Sequence, residues 1–385
     1  MSGFFEFIFW TLLLFLFYDH FGYPFMMKIL AKFIDRGIQK ADIYPFVSVI
    51  IPVYNEEKFI LKKLENIKSA NYLPDKLEII LVSDNSNDQS NEILSRLVER
   101  EKNVKFIALE KRSGKTVAEN EAIRVSRGEI LVFTDVSATI DREGIRNLVR
   151  NFSDPSVGCV SSEDINITEF GKQSRGAESR YVNHDLNLRR SESRVRSLVG
   201  NSGCFYAVKR NFCLQLPDYI IRDFASALIA VRSGCRAVHE SEAKVFVTNL
   251  KDLKKEFHRK VRTIVGGITA LFHFSMLLNP FRFGLYSIQL LSHKLLRWLE
   301  SLFLILLVIC SGILLQKNLW YGIPILMISI LLFAWGIQIL LSKVGVEFKI
   351  LGIPSYLLMS YGAVLWAWGS ILRGDRKHIW QPSRT

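Results

Sequence analysis

Acidic and amide side chains follow three apolar stretches of the sequence, at the point where each stretch ends. Asn55 and Glu56 come after FVSVIIPV, Asp84 comes after LEIILVS, and Asp135 comes after EILVFT. Carboxylates gathered at one place repel one another and lose solvation, unless a cation or a polyhydroxylated ligand binds between them. For Asp88, which precedes the next helical stretch, helix N-capping is an equally good explanation. The pattern predicts a site for a cation or a polyol.

The position of these side chains depends on an alternation of strand and helix patterns that begins at Pro45. Continuous apolar runs predict four buried strands, at residues 46–53, 77–83, 104–109 and 129–134. The segments between them have apolar residues at helical spacing, as at Phe59, Ile60 and Leu64. This alternation is typical of a parallel α/β sheet covered on both faces, in which ligands bind at the carboxyl ends of the strands.

Two common nucleotide-binding motifs are absent from the sequence. The stretch RSGKT, at residues 112–116, resembles the end of a P-loop, but Leu109 stands where that motif needs its first glycine. No G-x-G-x-x-G follows the first predicted strand, which argues against a dinucleotide-binding fold. The remaining common strategy is Mg²⁺ or Mn²⁺ held by a carboxylate and by the phosphates of the substrate.

An ordered set of motifs resembles the family 2 glycosyltransferases of the GT-A fold. The motifs are VSVIIPVYNEEKFI, ILVSDNSND, SGKTVAENEAI, GEILVFTDVSA, RDF at residues 222–224 and EFHRKVRT at residues 256–263. The resemblance extends from Pro45 to the C-terminus. It implies an α/β fold of the GT-A type, with a mixed and mainly parallel sheet. The apolar segments on both sides of this domain are similar to those of hyaluronan, chitin and poly-N-acetylglucosamine synthases.

The resemblance implies a role for each matching residue. Asp84 corresponds to the acid that binds the base of the nucleotide, usually uracil, and Asp223 to the general base. Asp135 corresponds to the first acid of the DxD motif, which holds Mg²⁺ or Mn²⁺ on the donor diphosphate. Nucleotide and donor binding is also assigned to Pro52, Tyr54, Glu56, Lys115, Arg259 and Arg262. Acceptor binding or gating is assigned to Gly203, Trp380 and Arg384.

The sequence departs from the family pattern at three positions. The DxD motif reads Asp135-Val136-Ser137, so Ser137 is the second expected metal ligand, through its hydroxyl or through water. Arg222 replaces the acid that usually precedes the base, and we expect this positive neighbour to favour the ionised form of Asp223. Thr263 stands where the arginine motif of the family ends in tryptophan.

Both ends of the chain are apolar, whereas the middle is charged and mixed. The 385 residues carry a formal charge of +13. Segments at residues 4–18, 299–315 and 319–341 are long enough to cross a bilayer or nearly so, and basic residues from Lys28 to Lys40 place the central domain in the cytosol. A cleaved signal peptide is disfavoured, because no basic residue precedes the first segment. Five cysteines without C-x-x-C spacing agree with a reduced compartment.

The predicted organisation has six parts. They are an N-terminal transmembrane helix (1–25), a basic cytosolic linker (26–44), the GT-A domain (45–250), amphipathic interface helices (251–297), a transmembrane hairpin (298–342) and a last segment (343–385) with an interfacial or spanning helix and a cytosolic W-x-P-x-R tail. The interfacial placement of the last helix is favoured, because a spanning helix would put the basic tail outside.

These observations predict an inverting glycosyltransferase of the cytoplasmic membrane. The donor is a nucleotide sugar, with UDP as the expected nucleotide, and the acceptor is a growing polysaccharide or a lipid-linked molecule. Two alternatives stay open: a non-processive transferase that forms a glycolipid, and a catalytically degenerate subunit of a glycosyltransferase complex. Three spans are too few to enclose a wide channel, so a polymer product would require a homo-oligomer or an export partner. Nucleic acid is discounted, because the basic residues cluster beside apolar helices.

Overall fold

The centre of the molecule is an eight-stranded sheet with the order β3-β2-β1-β4-β7-β6-β8-β5. The computed structural model describes residues 2–167, 177–248, 253–343 and 352–375. The strands are β1 (Val47–Val53), β2 (Leu77–Ser83), β3 (Val104–Ala108), β4 (Ile130–Thr134), β5 (Thr139–Ile140), β6 (Val157–Ile167), β7 (Phe205–Lys209) and β8 (Arg236–Thr248).

Strands β1 to β4 form the parallel half of the sheet. β1 lies between β2 and β4, and β3 pairs with β2. Every residue of β1, β2 and β4 is buried, as their continuous apolar runs predict. The second half is mixed, because β7 runs antiparallel to both β4 and β6, while β6 and β8 are parallel. The fold class predicted from the sequence, a mixed and mainly parallel sheet, is confirmed.

Helices cover both faces of the sheet and continue at both ends of the chain. They are α1 (Ser2–Phe17), α2 (Tyr23–Phe33), α3 (Ile60–Lys68), α4 (Ser90–Arg100), α5 (Lys115–Val125), α6 (Gly144–Val149), α7 (Ala177–Val195), α8 (Arg222–Arg232), α9 (Leu253–His273), α10 (Pro280–Phe283), α11 (Leu285–Leu290), α12 (Arg297–Leu314), α13 (Ile323–Lys343) and α14 (Gly352–Leu372). The core on one face includes residues of α3 and α6, and the core on the other face includes residues of α5 and α8.

Four helices in the described ranges are long and apolar enough to cross a membrane. Their bounds are Ser2–Phe33, Leu285–Leu314, Leu319–Leu341 and Gly352–Leu372. The first two are longer than the sequence predicts, because π-helical turns join α1 to α2 and α11 to α12. The last is the segment for which the sequence left spanning and interfacial placements open, and it meets the same criterion of length and composition.

Helix α9 is held between the sheet domain and α14, and its position matters because it carries two of the predicted site residues. Phe272 of α9 makes an edge-to-face contact with Trp368 of α14. The indole of Trp368 donates to the carbonyl oxygen of Trp298 in α12 at 2.7 Å. Gly266 and Gly267 permit close packing, because a Cβ at these positions would lie 2.5 Å from Ile221 and 2.7 Å from Trp298.

A buried polar network joins the N-terminal helices to α7 and to the π-helical turn before α12. The hydroxyl of Tyr23 in α2 donates to Glu192 of α7. The other partner of Glu192 is His293, at 2.8 Å, and the second ring nitrogen of His293 lies 3.1 Å from Asp185. The hydroxyls of Tyr18 and Ser292 are hydrogen-bonded at 2.9 Å, so the two π-helical turns meet.

Candidate active site

A cavity of about 390 Å³ lies beyond the carboxyl end of β4. Its walls come from the start of α5, the glycine-containing segment before β7, the start of α8, helix α9 and the helix Leu285–Leu314. Six of the residues predicted from the sequence line it together, namely Lys115, Asp135, Gly203, Asp223, Arg259 and Arg262. These residues come from five separate parts of the chain, and the fold brings them to one place.

Asp135 and Lys115 form an ion pair on the sheet side of the cavity. The Lys115 ammonium donates to Asp135 Oδ1 at 2.6 Å and to the Gly203 carbonyl oxygen at 3.1 Å. Burial lowers the pKa of Lys115, but the carboxylates of Asp135, Glu119 and Asp223 outweigh this effect and raise its pKa above the ordinary value. Lys115 therefore stays positively charged and fixes the position of the Asp135 carboxylate.

Asp223 stands in the first turn of α8 and faces the cavity. Its Oδ1 accepts the Phe224 amide hydrogen at 2.6 Å, and a Cβ at Gly203 would come within 2.7 Å of its Oδ2. A side chain at position 203 would therefore force the Asp223 carboxylate to move. Burial raises the pKa of Asp223, although Lys115 and the Phe224 amide act in the opposite direction. A raised pKa is the property expected of a general base.

The expectation that Arg222 favours the ionised form of Asp223 is wrong. The Arg222 side chain points away from Asp223 towards α5, where it lies 3.4 Å from Glu119 and donates to Asn120. It also donates to the Leu214 carbonyl oxygen at 3.0 Å. Neighbours in sequence at the start of a helix project in different directions, so adjacency along the chain did not produce an ion pair.

Glu119 is an acid of the cavity that the sequence analysis did not identify. It is buried between Lys115, at 4.0 Å, and Arg222. Burial raises the pKa of Glu119 to about 7, against the attraction of these two cations. The signal in the sequence is the spacing of four between Lys115 and Glu119, which places both on the same face of α5.

Arg259 and Arg262 approach the cavity from α9. Arg259 is paired with Glu256 on the same helix, through contacts of 2.7 and 2.6 Å. Burial lowers the pKa of Arg262 to about 10, and the nearby positive charge of Arg259 acts in the same direction. Arg262 therefore remains charged at neutral pH, so both side chains can neutralise an anionic group in the cavity.

The predicted nucleotide-binding residues of β1 and β2 lie outside the lining of this cavity. Pro52 is buried within β1, and the ring of Tyr54 is covered by the Arg112 guanidinium at 3.8 Å. Glu56 is buried at the start of the following loop. Asp84 contacts the wall of the cavity from outside. Its two carboxylate oxygens accept hydrogen bonds from the backbone amides of Ser113 and Gly114, and these two residues line the cavity.

The end of β4 carries two side chains with oxygen donors of the kind that Mg²⁺ and Mn²⁺ prefer. Asp135 provides one partly exposed carboxylate, and Ser137 provides a hydroxyl two residues further on. Such ions commonly take one or two carboxylates and complete their shell with water and substrate phosphates. Lys63 holds the turn that contains Asp135 and Ser137, because it donates to Thr134 Oγ1 at 2.8 Å and to the Ala138 carbonyl oxygen at 2.6 Å.

Lys63 was also missed from the sequence, although its position is unusual. It is fully buried on the apolar face of α3, beside Ile60, Leu64 and Ile67. Burial lowers its pKa to about 7, and Asp135 is the strongest opposing influence. A lysine within an apolar stripe was the available signal. Trp380 and Arg384, predicted to gate the site, lie outside the described residues.

Comparisons with known proteins agree with this geometry. Residues 48–215 match the model of glycosyl transferase family 2. The glycosyltransferase AglE of Haloferax volcanii is 30% identical over 149 residues, which are 39% of this chain and 48% of that protein. The poly-β-1,6-N-acetyl-D-glucosamine synthase of Staphylococcus aureus is 23% identical over 249 residues, which are 63% of this chain and 60% of that protein. The chain thus spans about half the length of these relatives.

Among solved structures, a mannosyltransferase of Pyrobaculum calidifontis in complex with GDP-Man and Mn²⁺ is similar over almost the whole chain. The TM-score is 0.72 at 21% identity, with 96% of this chain and 99% of that chain covered. The sheet and its helices therefore have the fold of the GT-A class. More particularly, residues 48–215 form a glycosyltransferase family 2 domain.

Proposed function

We propose that this protein is a membrane-bound, inverting glycosyltransferase that transfers a sugar from a nucleotide sugar to a polysaccharide or lipid-linked acceptor. The observation that carries the proposal is the convergence of Asp223 with Lys115, Asp135 and Arg262 in one cavity. A base with a raised pKa and several fixed positive charges are the two requirements of this reaction.

In the proposed reaction, an acceptor hydroxyl oxygen attacks the anomeric carbon of the donor sugar. The bond from that carbon to the phosphate oxygen breaks, and the nucleoside diphosphate leaves with the electron pair. Asp223 takes the hydroxyl proton, and a single displacement inverts the anomeric configuration. Lys115, Arg259 and Arg262 stabilise the negative charge that develops on the leaving diphosphate.

Asp135 and Ser137 are the proposed ligands of Mg²⁺ or Mn²⁺. When bound, the ion supplies further charge neutralisation on the donor diphosphate. Lys63 keeps the turn that carries both ligands in place, through its bonds to Thr134 and Ala138. The solved mannosyltransferase holds GDP-Man and Mn²⁺, which supports a nucleotide sugar and a divalent ion for the related cavity here.

The catalytic domain is proposed to face the cytosol, where nucleotide sugars are made, with the apolar helices in the cytoplasmic membrane. Basic residues follow the first apolar segment, and this distribution supports the orientation. The cavity is bounded by α9 and by the helix Leu285–Leu314, so it lies close to a candidate membrane span. An acceptor presented at the membrane surface would enter from this side.

A second candidate is a degenerate subunit that binds a partner glycosyltransferase, and the missing second acid of the DxD motif favours it. A third is a non-processive transferase that makes a glycolipid. The deciding experiment is incubation of membranes containing the protein with labelled UDP- and GDP-sugars, with and without Mn²⁺, followed by sizing of the product. A ladder of product lengths supports a synthase, and a product with a single added sugar supports glycolipid formation. If no labelled sugar is incorporated, or if incorporation does not require Asp223, the enzymatic proposal is refuted.

A further inference from the structure

Lys294 is a cation of the cavity that the proposed donor chemistry does not use. It lies in the π-helical turn of the candidate span Leu285–Leu314, and its side chain lines the cavity. Its ammonium group is 5.9 Å from the centre of the Phe224 ring. Among the described residues it has no hydrogen bond and no ion pair, so this partly buried charge lacks a counterion in direct contact.

The acidic groups behind Lys294 already have other partners. Asp185 pairs with Arg189 at 2.8 Å and with His293 at 3.1 Å, and Glu192 accepts from His293 and Tyr23. The π-helical turn therefore separates two neighbouring residues: His293 faces the buried acids and Lys294 faces the cavity. A partly buried lysine without a paired anion is costly, and an anionic ligand would remove that cost.

The glycine-containing segment before β7 orders the charged groups along the cavity. A Cβ at Gly200 would lie 3.7 Å from Lys294 Cε, whereas a Cβ at Gly203 would lie 2.7 Å from Asp223 Oδ2. The Gly203 carbonyl oxygen is in turn the acceptor for Lys115. Lys294 thus lies beside Gly200, and Asp223 and Lys115 lie beside Gly203. Lys294 is therefore a second cation near the proposed base, next to a different residue of this segment from the one that Lys115 contacts.

The wall around Lys294 is apolar and continues into a candidate membrane helix. Trp298, four residues further along that helix, lines the same cavity and closes against Gly267 of α9. Phe224 and Ile221 also line this side. Arg189 also lines the cavity, but it is paired with Asp185, whereas Lys294 has no such partner among the described residues. The apolar side chains together with the cation of Lys294 suit an amphipathic ligand that has an anionic group and a hydrocarbon part.

We propose that Lys294 binds the phosphate of a lipid-linked acceptor and so holds the accepting group next to Asp223. This inference rests on the function proposed above and names the acceptor class. The proposed acceptor is therefore a long-chain isoprenoid alcohol that carries a phosphate ester or a diphosphate. A neutral polysaccharide end would leave the charge of Lys294 without a partner.

The test uses the full chain in nanodiscs of neutral phosphatidylcholine, with a labelled polyisoprenyl monophosphate and the polyisoprenol of the same length as probes. We expect the wild-type protein to bind the phosphorylated lipid more tightly than the alcohol. Lys294→Met should reduce this preference by about tenfold to a hundredfold, the usual effect of losing one charge-assisted hydrogen bond. Lys294→Arg should retain part of it. Lys32→Met is the matched control, because Lys32 is an exposed lysine of α2 outside the cavity.

Binding of UDP and GDP to the same samples separates this inference from the proposed function. If the wild-type protein binds the polyisoprenyl monophosphate and the polyisoprenol equally well, the inference is overturned. It is also overturned if the Lys294→Met variant binds nucleotide and keeps the wild-type preference for the phosphorylated lipid. Neither result affects the proposed function. Displacement of the lipid by inorganic phosphate at equal concentration also overturns the inference, since the subsite would then recognise a soluble anion. A wild-type protein that binds neither nucleotide overturns the proposed function itself.

Discussion

Replacement of Asp223 by asparagine should separate activity from stability. The amide keeps the shape of the carboxylate but cannot accept the proton of the acceptor hydroxyl. General base catalysis contributes about 10²–10⁴ to the rate, so we expect kcat/KM for sugar transfer to fall by that factor. Nucleotide binding should change little, because Lys115, Asp135 and the two arginines of α9 are untouched.

The same substitution should leave the protein at least as stable at neutral pH. Burial raises the pKa of Asp223 in the folded state above the ordinary value of about 3.9. The folded protein then binds the proton more tightly than the unfolded chain, so stability falls as the pH rises through the folded pKa. Each unit of elevation corresponds to about 1.4 kcal/mol, reduced here because the side chain is only partly buried. Asparagine carries no charge to bury.

The assays are labelled sugar transfer, nucleotide binding and thermal unfolding of the purified protein. The acid limb of the wild-type pH–rate profile should lie above the range of an ordinary aspartate, because the base acts only when ionised. Asp218→Asn is the control, since Asp218 is an exposed residue at the same cavity. Turnover within about tenfold of wild type in Asp223→Asn, well short of the expected 10²–10⁴, would refute the assignment of the base.

Four further substitutions test residues around this base. Asp135→Ala should abolish both sugar transfer and its response to Mn²⁺. Ser137→Asp should lower the Mn²⁺ concentration needed for half-maximal activity by about tenfold. If the wild-type protein is fully active in EDTA, the enzyme works without a metal ion and both predictions are wrong. Gly203→Ala should lower kcat by more than about tenfold, since its Cβ would lie 2.7 Å from the proposed base, while Gly37→Ala, in open space, should have no effect. Burial raises the pKa of Glu119 from 4.5 to about 7, so stability linked to this group is lost between those values as the pH rises. Glu119→Gln should flatten that dependence in thermal unfolding, and an unchanged pH profile would contradict the burial argument.

The parallel half of the sheet was predictable because each strand is buried on both faces and reads as one apolar run. The strands β6 and β8 were not predicted. β6 ends in the mixed sequence SSEDINI, and β8 includes His239 and Glu240, so neither gives a simple period. Their pairing joins segments far apart in the chain, with two irregularities in register, and such contacts leave no local signal.

For the candidate site, the position of Asp135 at the end of a predicted strand indicated a ligand site, and the family resemblance added Lys115; both residues line the cavity. The partners of the charged side chains could not be predicted from the sequence. Arg222 turns to Glu119 rather than to its neighbour Asp223, and Lys63 on the buried face of α3 donates to Thr134 and Ala138 at the end of β4. Such choices depend on which groups tertiary packing brings within a few ångströms, so they become visible only in three dimensions.

The polar network around Tyr23 has a practical consequence for anyone seeking a water-soluble fragment. Removing the helix Ser2–Phe33 would delete the Tyr23 hydroxyl that donates to Glu192, and the buried Glu192 carboxylate would keep only His293 as a hydrogen-bond partner among the described residues. His293 adjoins Lys294, and Asp185 holds Arg189 at the cavity wall. Truncation there should therefore damage the reaction centre itself, so detergent or lipid is the better route to active material.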